Sequence, residues 1–387
     1  MKELIIPFEI DGFSGERTGN HRGYSYLTPF YQLPLPFPQA ELPVEDGEKQ
    51  AKEFLMQKNF FEESDSSTIQ TPETPTKKGR RSRKTKLLVD KISVYLVDLV
   101  QQYTVKDGET VIFSPPQPRE PMATPKELLY PEFPRLLAQF KNAEKKRKKL
   151  QKWGVKTIHT RTNVSPSVTA IFYGPPGTGK SMLIEALAYA CEAHILEVKA
   201  SDIFHRWVGE TPKNIQRLFD YYQDLFNVYN LFGQKVFLVI NEADQLLSVR
   251  RAVVHTWDQE SNSVQDLLLQ QLESFRGYFL VTTNLVDNID FAFWRRFLVK
   301  QEINLPDREA RKQLWYFYFP RSKYIDDSVN VDELVSFELS PGQIANIVEV
   351  ACLRAIDENR KLSQMDLLYF IQKELLLTTR KTKNIGF

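Results

Sequence analysis

The chain has 387 residues, and its 51 Lys and Arg against 49 Asp and Glu leave a formal net charge of +2. At roughly 100 to 200 residues per domain this length holds two or three folded units, and the near-neutral balance argues against a surface given over to nucleic acid. A composition of 42% hydrophobic and 26% charged residues is globular, and no apolar run reaches the roughly 18 residues of a membrane span.

The start, "MKELIIPFEIDGF", carries an apolar stretch too short for a signal sequence. Residues 24–38, "YSYLTPFYQLPLPFP", mix aromatics with prolines and suit an extended course, as a docking arm or as a strip packed on its own domain. We take residues 1–61 as this N-terminal Pro/aromatic-rich region. Residues 62–87 read as a disordered basic linker, because "EESDSSTIQTPETPTKKGRRSRKTK" offers almost nothing apolar to bury. An extension over 88–125 follows, in which Leu88, Ile92, Leu96, Leu99 and Tyr103 fall at helical spacing while the alternation of Ile92, Val94 and Leu96 keeps a strand open. A helix is expected from about Lys126, ending in the solvated run Lys145 to Lys149.

Beyond Trp153 the strands "TAIFY", "HILEV", "KVFLVI" and "YFLVTT" alternate with helical segments, and near-continuous apolar strands belong in a parallel sheet covered on both faces. Residues 126–306 are therefore expected as a three-layer αβα domain. After Pro306 the pattern is all helical: Asp307 to Phe319, Val331 to Phe337, Pro341 to Arg360 and Gln364 to Leu377. Ser340 and Pro341 form a good N-cap and N1 pair within this small domain of residues 307–387. The cysteines, Cys191 and Cys352, are both expected as packed thiols in a reducing cytoplasm.

"GPPGTGKS" (Gly174, Pro175, Pro176, Gly177, Thr178, Gly179, Lys180, Ser181) matches a phosphate-binding loop between a strand and a helix. Glycines let consecutive backbone N–H groups wrap a phosphate at a helix N-terminus. Lys180 is expected to reach the β- and γ-phosphates of ATP, and Ser181 to coordinate Mg²⁺. In such folds a second strand ends in an acid that holds the metal's water and a Glu that polarises the attacking water. "VFLVINEADQLL" has Glu242 in place, but Asn241 stands at the Mg²⁺ position. Asp244, two residues on, would share the face of Glu242 on a strand and so does not replace it.

From about Trp153 to Arg360 these residues resemble the AAA ATPases of the AAA+ superfamily, and more narrowly the single-domain bacterial type found near contractile injection systems. "GPPGTGKS" and "NEADQLL" stand as the two Walker motifs. The resemblance makes Asn284 of "FLVTTN" the sensor-1 residue, and Arg295 and Arg296 of "NIDFAFWRRF" the arginine fingers that act across a subunit boundary. That implies a ring, typically a homo-hexamer. "DIFHRWVGETPKNIQRLFD" resembles the first pore loop, with Trp207, Val208 and Gly209 at the aromatic, hydrophobic and glycine positions, and a protein substrate is implied. The loop Ser248 to Ser263 with Trp257 falls near the second. In the lid, "LSPGQIANIV" has Pro341 where the family keeps a Gly, leaving Gly342 beside it to lie against the adenine. No arginine takes the sensor-2 role of other AAA+ clades.

Two functions follow from this pattern. One is an ATPase that forms a ring and remodels or threads a protein through its pore. The other is a nucleotide-gated assembly factor with weak or no turnover, which Asn241 favours. A carboxylate's hydrogen bond is worth roughly 1.5 to 3 kcal/mol against about 1 for a neutral one. Losing that increment slows an enzyme about tenfold per 1.4 kcal/mol. A DNA-working relative would rest on the basic linker alone.

Overall fold

The structure, a computed structural model, describes residues 44–58, 77–107, 110–128, 130–141, 143–155, 167–199, 210–250 and 256–383. The chain divides into two compact units. One contains the described residues up to Arg119 together with Gln216–Val236, and the other contains Glu120–Ile215 with the chain from Phe237 onward.

In the first unit, helices α1 (Val44–Gln57) and α2 (Lys77–Tyr103) pack on each other, and strands β1 (Val105–Asp107) and β2 (Thr110–Phe113) form an antiparallel hairpin. The helical alternative holds for residues 88–103: Leu88, Ile92, Leu96 and Leu99 are all buried. Helix α2 begins at Lys77, inside the stretch expected as linker. Lys and Arg are good helix formers, so a basic run with nothing to bury can extend an apolar helix towards its N-terminus. Phe54 meets Tyr95 edge-on at 5.3 Å. Residues Gln216–Val236 complete this unit: Tyr103 contacts Tyr221 at 5.6 Å, and Lys58 pairs with Asp224 at 2.7 Å. Linear boundaries at 87, 125 and 306 do not express this grouping. Tyr103 also donates to Asp224, so α2 and residues Gln216–Val236 share both a ring contact and a polar one.

In the second unit the single helix expected from Lys126 starts only at Phe133, since Pro131 and Pro134 can only precede or open a helix, and it is divided into α3 (Phe133–Phe140) and α4 (Ala143–Lys152). Lys145, Lys146 and Lys149 are exposed, as expected. In chain order next come β3 (Ser167–Tyr173), α5 (Lys180–Ala190), β4 (Ala193–Lys199), α6 (Glu210–Leu231), which belongs to the first unit from Gln216 on, β5 (Lys235–Asn241), whose first two residues do too, the one-turn α7 (Asp244–Leu247), α8 (Thr256–Ser274), β6 (Gly277–Thr283), the one-turn α9 (Phe291–Trp294) and β7 (Val299–Glu302). The five strands β3 to β7 form one parallel sheet in the order β4-β5-β6-β3-β7, the sheet of a P-loop NTPase αβα domain. Its short edge strand β7, "VKQE", was invisible to hydrophobic pattern. Phe172, Leu183, Leu187, Ile195, Phe237, Val239 and Leu280 form a core between sheet and helices.

The helical domain after Pro306 contains α10 (Arg308–Tyr318), the one-turn α11 (Val331–Leu334), α12 (Pro341–Asp357) and α13 (Gln364–Lys383). Trp315, Leu334, Leu339, Ile344, Ala351 and Leu367 make its core, and each large apolar side chain buried there contributes about 1.5–3 kcal/mol. Cys191 is buried in the sheet core and Cys352 lies half-buried against the helical one. Among the described residues no helix is long and apolar enough to cross a membrane.

Candidate active site

A parallel sheet sends all its carboxyl ends to one edge, and there the ends of β3, β5 and β6 bring three separate sequence motifs together. The loop from Gly174 to Gly179 leaves β3 and runs into α5, with left-handed backbone at Gly174, Gly177 and Gly179 (φ 139°, 76° and 92°). A Cβ at Gly174 would lie 2.2 Å from the Ile303 carbonyl oxygen, and one at Gly177 would lie 2.7 Å from Ser340 Oγ. Only glycine fits either position, so the loop can lie directly against Ile303 and Ser340.

Lys180 is buried at 7% exposure, and its ammonium donates to the carbonyls of Gly174 at 2.9 Å and Pro175 at 2.6 Å. Thr178 Oγ1 also donates to the Pro175 carbonyl, at 2.9 Å. Burial lowers the Lys180 pKa, and nearby Asp244 opposes that shift. A buried cation held by neutral oxygens, with a third N–H to give, suits a phosphate.

The strand β5 ends at Asn241. Glu242 takes a left-handed backbone (φ 55°), a conformation that costs a non-glycine residue of order 1–3 kcal/mol and clusters at functional sites. This break moves Asp244 into α7, so the two-residue strand period does not reach it. Instead of sharing the face of Glu242, the Asp244 carboxylate accepts from Thr283 Oγ1 and, at 2.9 Å, from the backbone N–H of Asn284. Asp244 thereby ties the end of β6, with Asn284, to the end of β5. Glu242 is exposed and Asn284 half-buried.

Asn241 is held on three sides. Its Oδ1 accepts from Ser181 Oγ at 3.3 Å and from Thr282 Oγ1 at 3.1 Å, while its Nδ2 donates to Glu197 Oε1 at 2.6 Å. Ser181 and Asn241 thus converge as two neutral oxygens, a donor set suited to a hard cation and its waters. Glu197 was missed by pattern reading. Its signal was a lone charge in the otherwise apolar "HILEV".

The two arginines expected as fingers separate. Arg296 is committed within its own chain: its guanidinium pairs with Glu273 and donates to the Ala292 carbonyl at 2.9 Å. Its carbonyl accepts from buried Thr169 Oγ1 at 2.7 Å, which pins this turn to β3. Arg295 is exposed and stacks over the Phe291 ring at 4.7 Å.

The helical domain reaches the phosphate loop through the turn at α12. Ser340 caps α12 in a reciprocal box with Gln343, and Pro341 occupies the first turn. The Gly342 N–H donates to the Gly177 carbonyl at 3.0 Å. Proline at this point is therefore compatible with a regular helix start against the loop. Trp207, Val208 and Gly209 lie outside the described residues, as does the side chain of Trp257.

A model of the ATPase family associated with various cellular activities (AAA) matches residues 170–305. Over 205 residues the chain is 32% identical to cell division protein C of Sulfolobus acidocaldarius, covering 50% of this chain and 52% of that protein. It is 28% identical over 236 residues to the 26S proteasome regulatory subunit 6B homolog of Saccharomyces cerevisiae, covering 59% and 52%. With a proteasome-activating nucleotidase of Saccharolobus islandicus it shares 29% over 227 residues, covering 56% and 55%. The chain spans about half the length of these relatives. They are archaeal and fungal, and do not bear on the narrower bacterial resemblance.

Proposed function

We propose, from the premise that residues 170–305 constitute an AAA domain, that this chain binds and hydrolyses ATP and uses the cycle to remodel a protein within a homo-hexameric ring. The observation that carries the ATP part is the phosphate loop, with glycines that admit no side chain and a buried Lys180 presented to an anion. Gly174 to Ser181 wrap the phosphates, and Gly342 lies beside the loop where the adenine would rest. Ser181 and Asn241 would hold Mg²⁺, the latter through water. When bound, Mg²⁺ offsets phosphate charge and orients the reacting group.

Glu242, displaced from the strand by its left-handed backbone, takes the proton of the attacking water. Asn284, steadied by Asp244, orients that water or the γ-phosphate. Arg295 is the finger offered to a neighbouring subunit, and Trp207 with Val208 and Gly209 grips an extended substrate in the pore. The names of the proteasomal relatives support work on proteins rather than on DNA.

The test is Mg²⁺-dependent ATP turnover. Glu242→Gln is expected to abolish it while ATP stays bound. Wild-type turnover no faster than that of Glu242→Gln would instead leave the nucleotide-gated assembly factor, the reading that Asn241 favours.

A further inference from the structure

We infer that Glu197 supplies the negative charge that Asn241 lacks, acting through the Asn241 amide as a positioning residue for the metal. This rests on the ATP reading above. The orientation of the amide is forced by its neighbours. Glu197 is a carboxylate and accepts only, so the Asn241 group 2.6 Å away must be Nδ2. That leaves Oδ1, which can only accept, facing Thr282 Oγ1, so the Thr282 hydroxyl donates to Oδ1 at 3.1 Å while it accepts the Glu242 N–H. Oδ1 is thereby turned to Ser181 Oγ, the one side chain of the phosphate loop that would coordinate the cation directly.

An amide whose N–H is given to a carboxylate is polarised, and its oxygen becomes a stronger acceptor. The carboxylate has in effect moved one strand sideways, from the end of β5 to β4, with the amide as relay. The same contact explains why an amide stands at 241: a carboxylate there would face that of Glu197 across hydrogen-bonding distance, and the two would repel. It also gives a reason for a lone acid in the apolar run "HILEV". Partners bonded to a metal's own ligands typically change its affinity 10- to 100-fold, and Glu197, which acts through Asn241 and its water, stands one step further out.

Glu197→Gln separates charge from shape, because its side-chain oxygen still accepts from Asn241. The measurement is the affinity of Mn²⁺ for the protein bound to a non-hydrolysable ATP analogue, read from free Mn²⁺ by electron paramagnetic resonance. Analogue affinity in EDTA serves as the control. Glu197→Gln should weaken Mn²⁺ by about tenfold, the lower end of the range for direct partners of metal ligands, and leave analogue affinity in EDTA unchanged. Asn241→Asp alone should disturb the site, whereas the double exchange Asn241→Asp with Glu197→Gln, which returns the charge to β5, should restore Mn²⁺ affinity. Unchanged Mn²⁺ affinity in Glu197→Gln overturns the inference alone. So does a double variant no better than Glu197→Gln. A wild type that fails to bind the analogue even in EDTA removes the ATP reading, and the inference with it.

Discussion

Arg295 and Arg296 are neighbours in sequence with opposite commitments. Arg296 grips Glu273 and the Ala292 carbonyl, whereas the Arg295 guanidinium lies over the exposed Phe291 ring. Exposed ion pairs contribute about 0–1 kcal/mol, so Arg296→Ala should lower the melting temperature by about 2–4 °C at most. Arg295→Ala should leave melting unchanged and cut ATP turnover about 10³-fold, as loss of a finger does. Steady-state kinetics beside calorimetry on the two variants decides this, and an exchange of the two phenotypes would reverse the assignment.

At the scale of elements, the helical domain carries an acid-sensitive joint. Asp366, at the start of α13, is buried and accepts two bonds from the Arg360 guanidinium and one each from the N–H and hydroxyl of Ser363. The guanidinium holds its carboxyl well below the usual range, with Ser363 adding to the effect against the opposing influence of burial. A depressed carboxyl contributes stability that is present above its unfolded value of about 3.9 and lost as pH falls below it. The melting temperature of this domain should therefore stay flat from pH 7 to about 5 and then fall. Asp366→Asn should be destabilised by roughly 1–3 kcal/mol at pH 7, with the gap to the wild type narrowing as pH falls from about 5 to 3. Circular dichroism melts at pH 7 and pH 3 check this, and parallel curves would refute it.

At the scale of the whole molecule the proposed ring follows from an exposed finger that needs a neighbour. Glu242→Gln with ATP should assemble into six copies by mass photometry and dissociate when nucleotide is removed; a monomer at every concentration would exclude the ring. Trp207→Ala should keep that assembly while losing its effect on a protein substrate. The phosphate loop, the strand that precedes it and the helix start at Ser340 and Pro341 were legible in the sequence because each is a contiguous run whose residue types are dictated by local backbone and hydrogen bonding. The helical period over 88–103 was legible for the same reason. The partners of Asn241 were not, since Glu197 lies 44 positions away and Thr282 41, and their meeting depends on the order β4-β5-β6. Strand order and the fate of each arginine are decided by packing between distant segments, which no local period records. The sequence by itself thus determined a phosphate-loop motif and an amide at the position proposed to face the metal. Only the tertiary structure set a carboxylate behind that amide, because neighbouring strands bring together side chains that the chain keeps far apart.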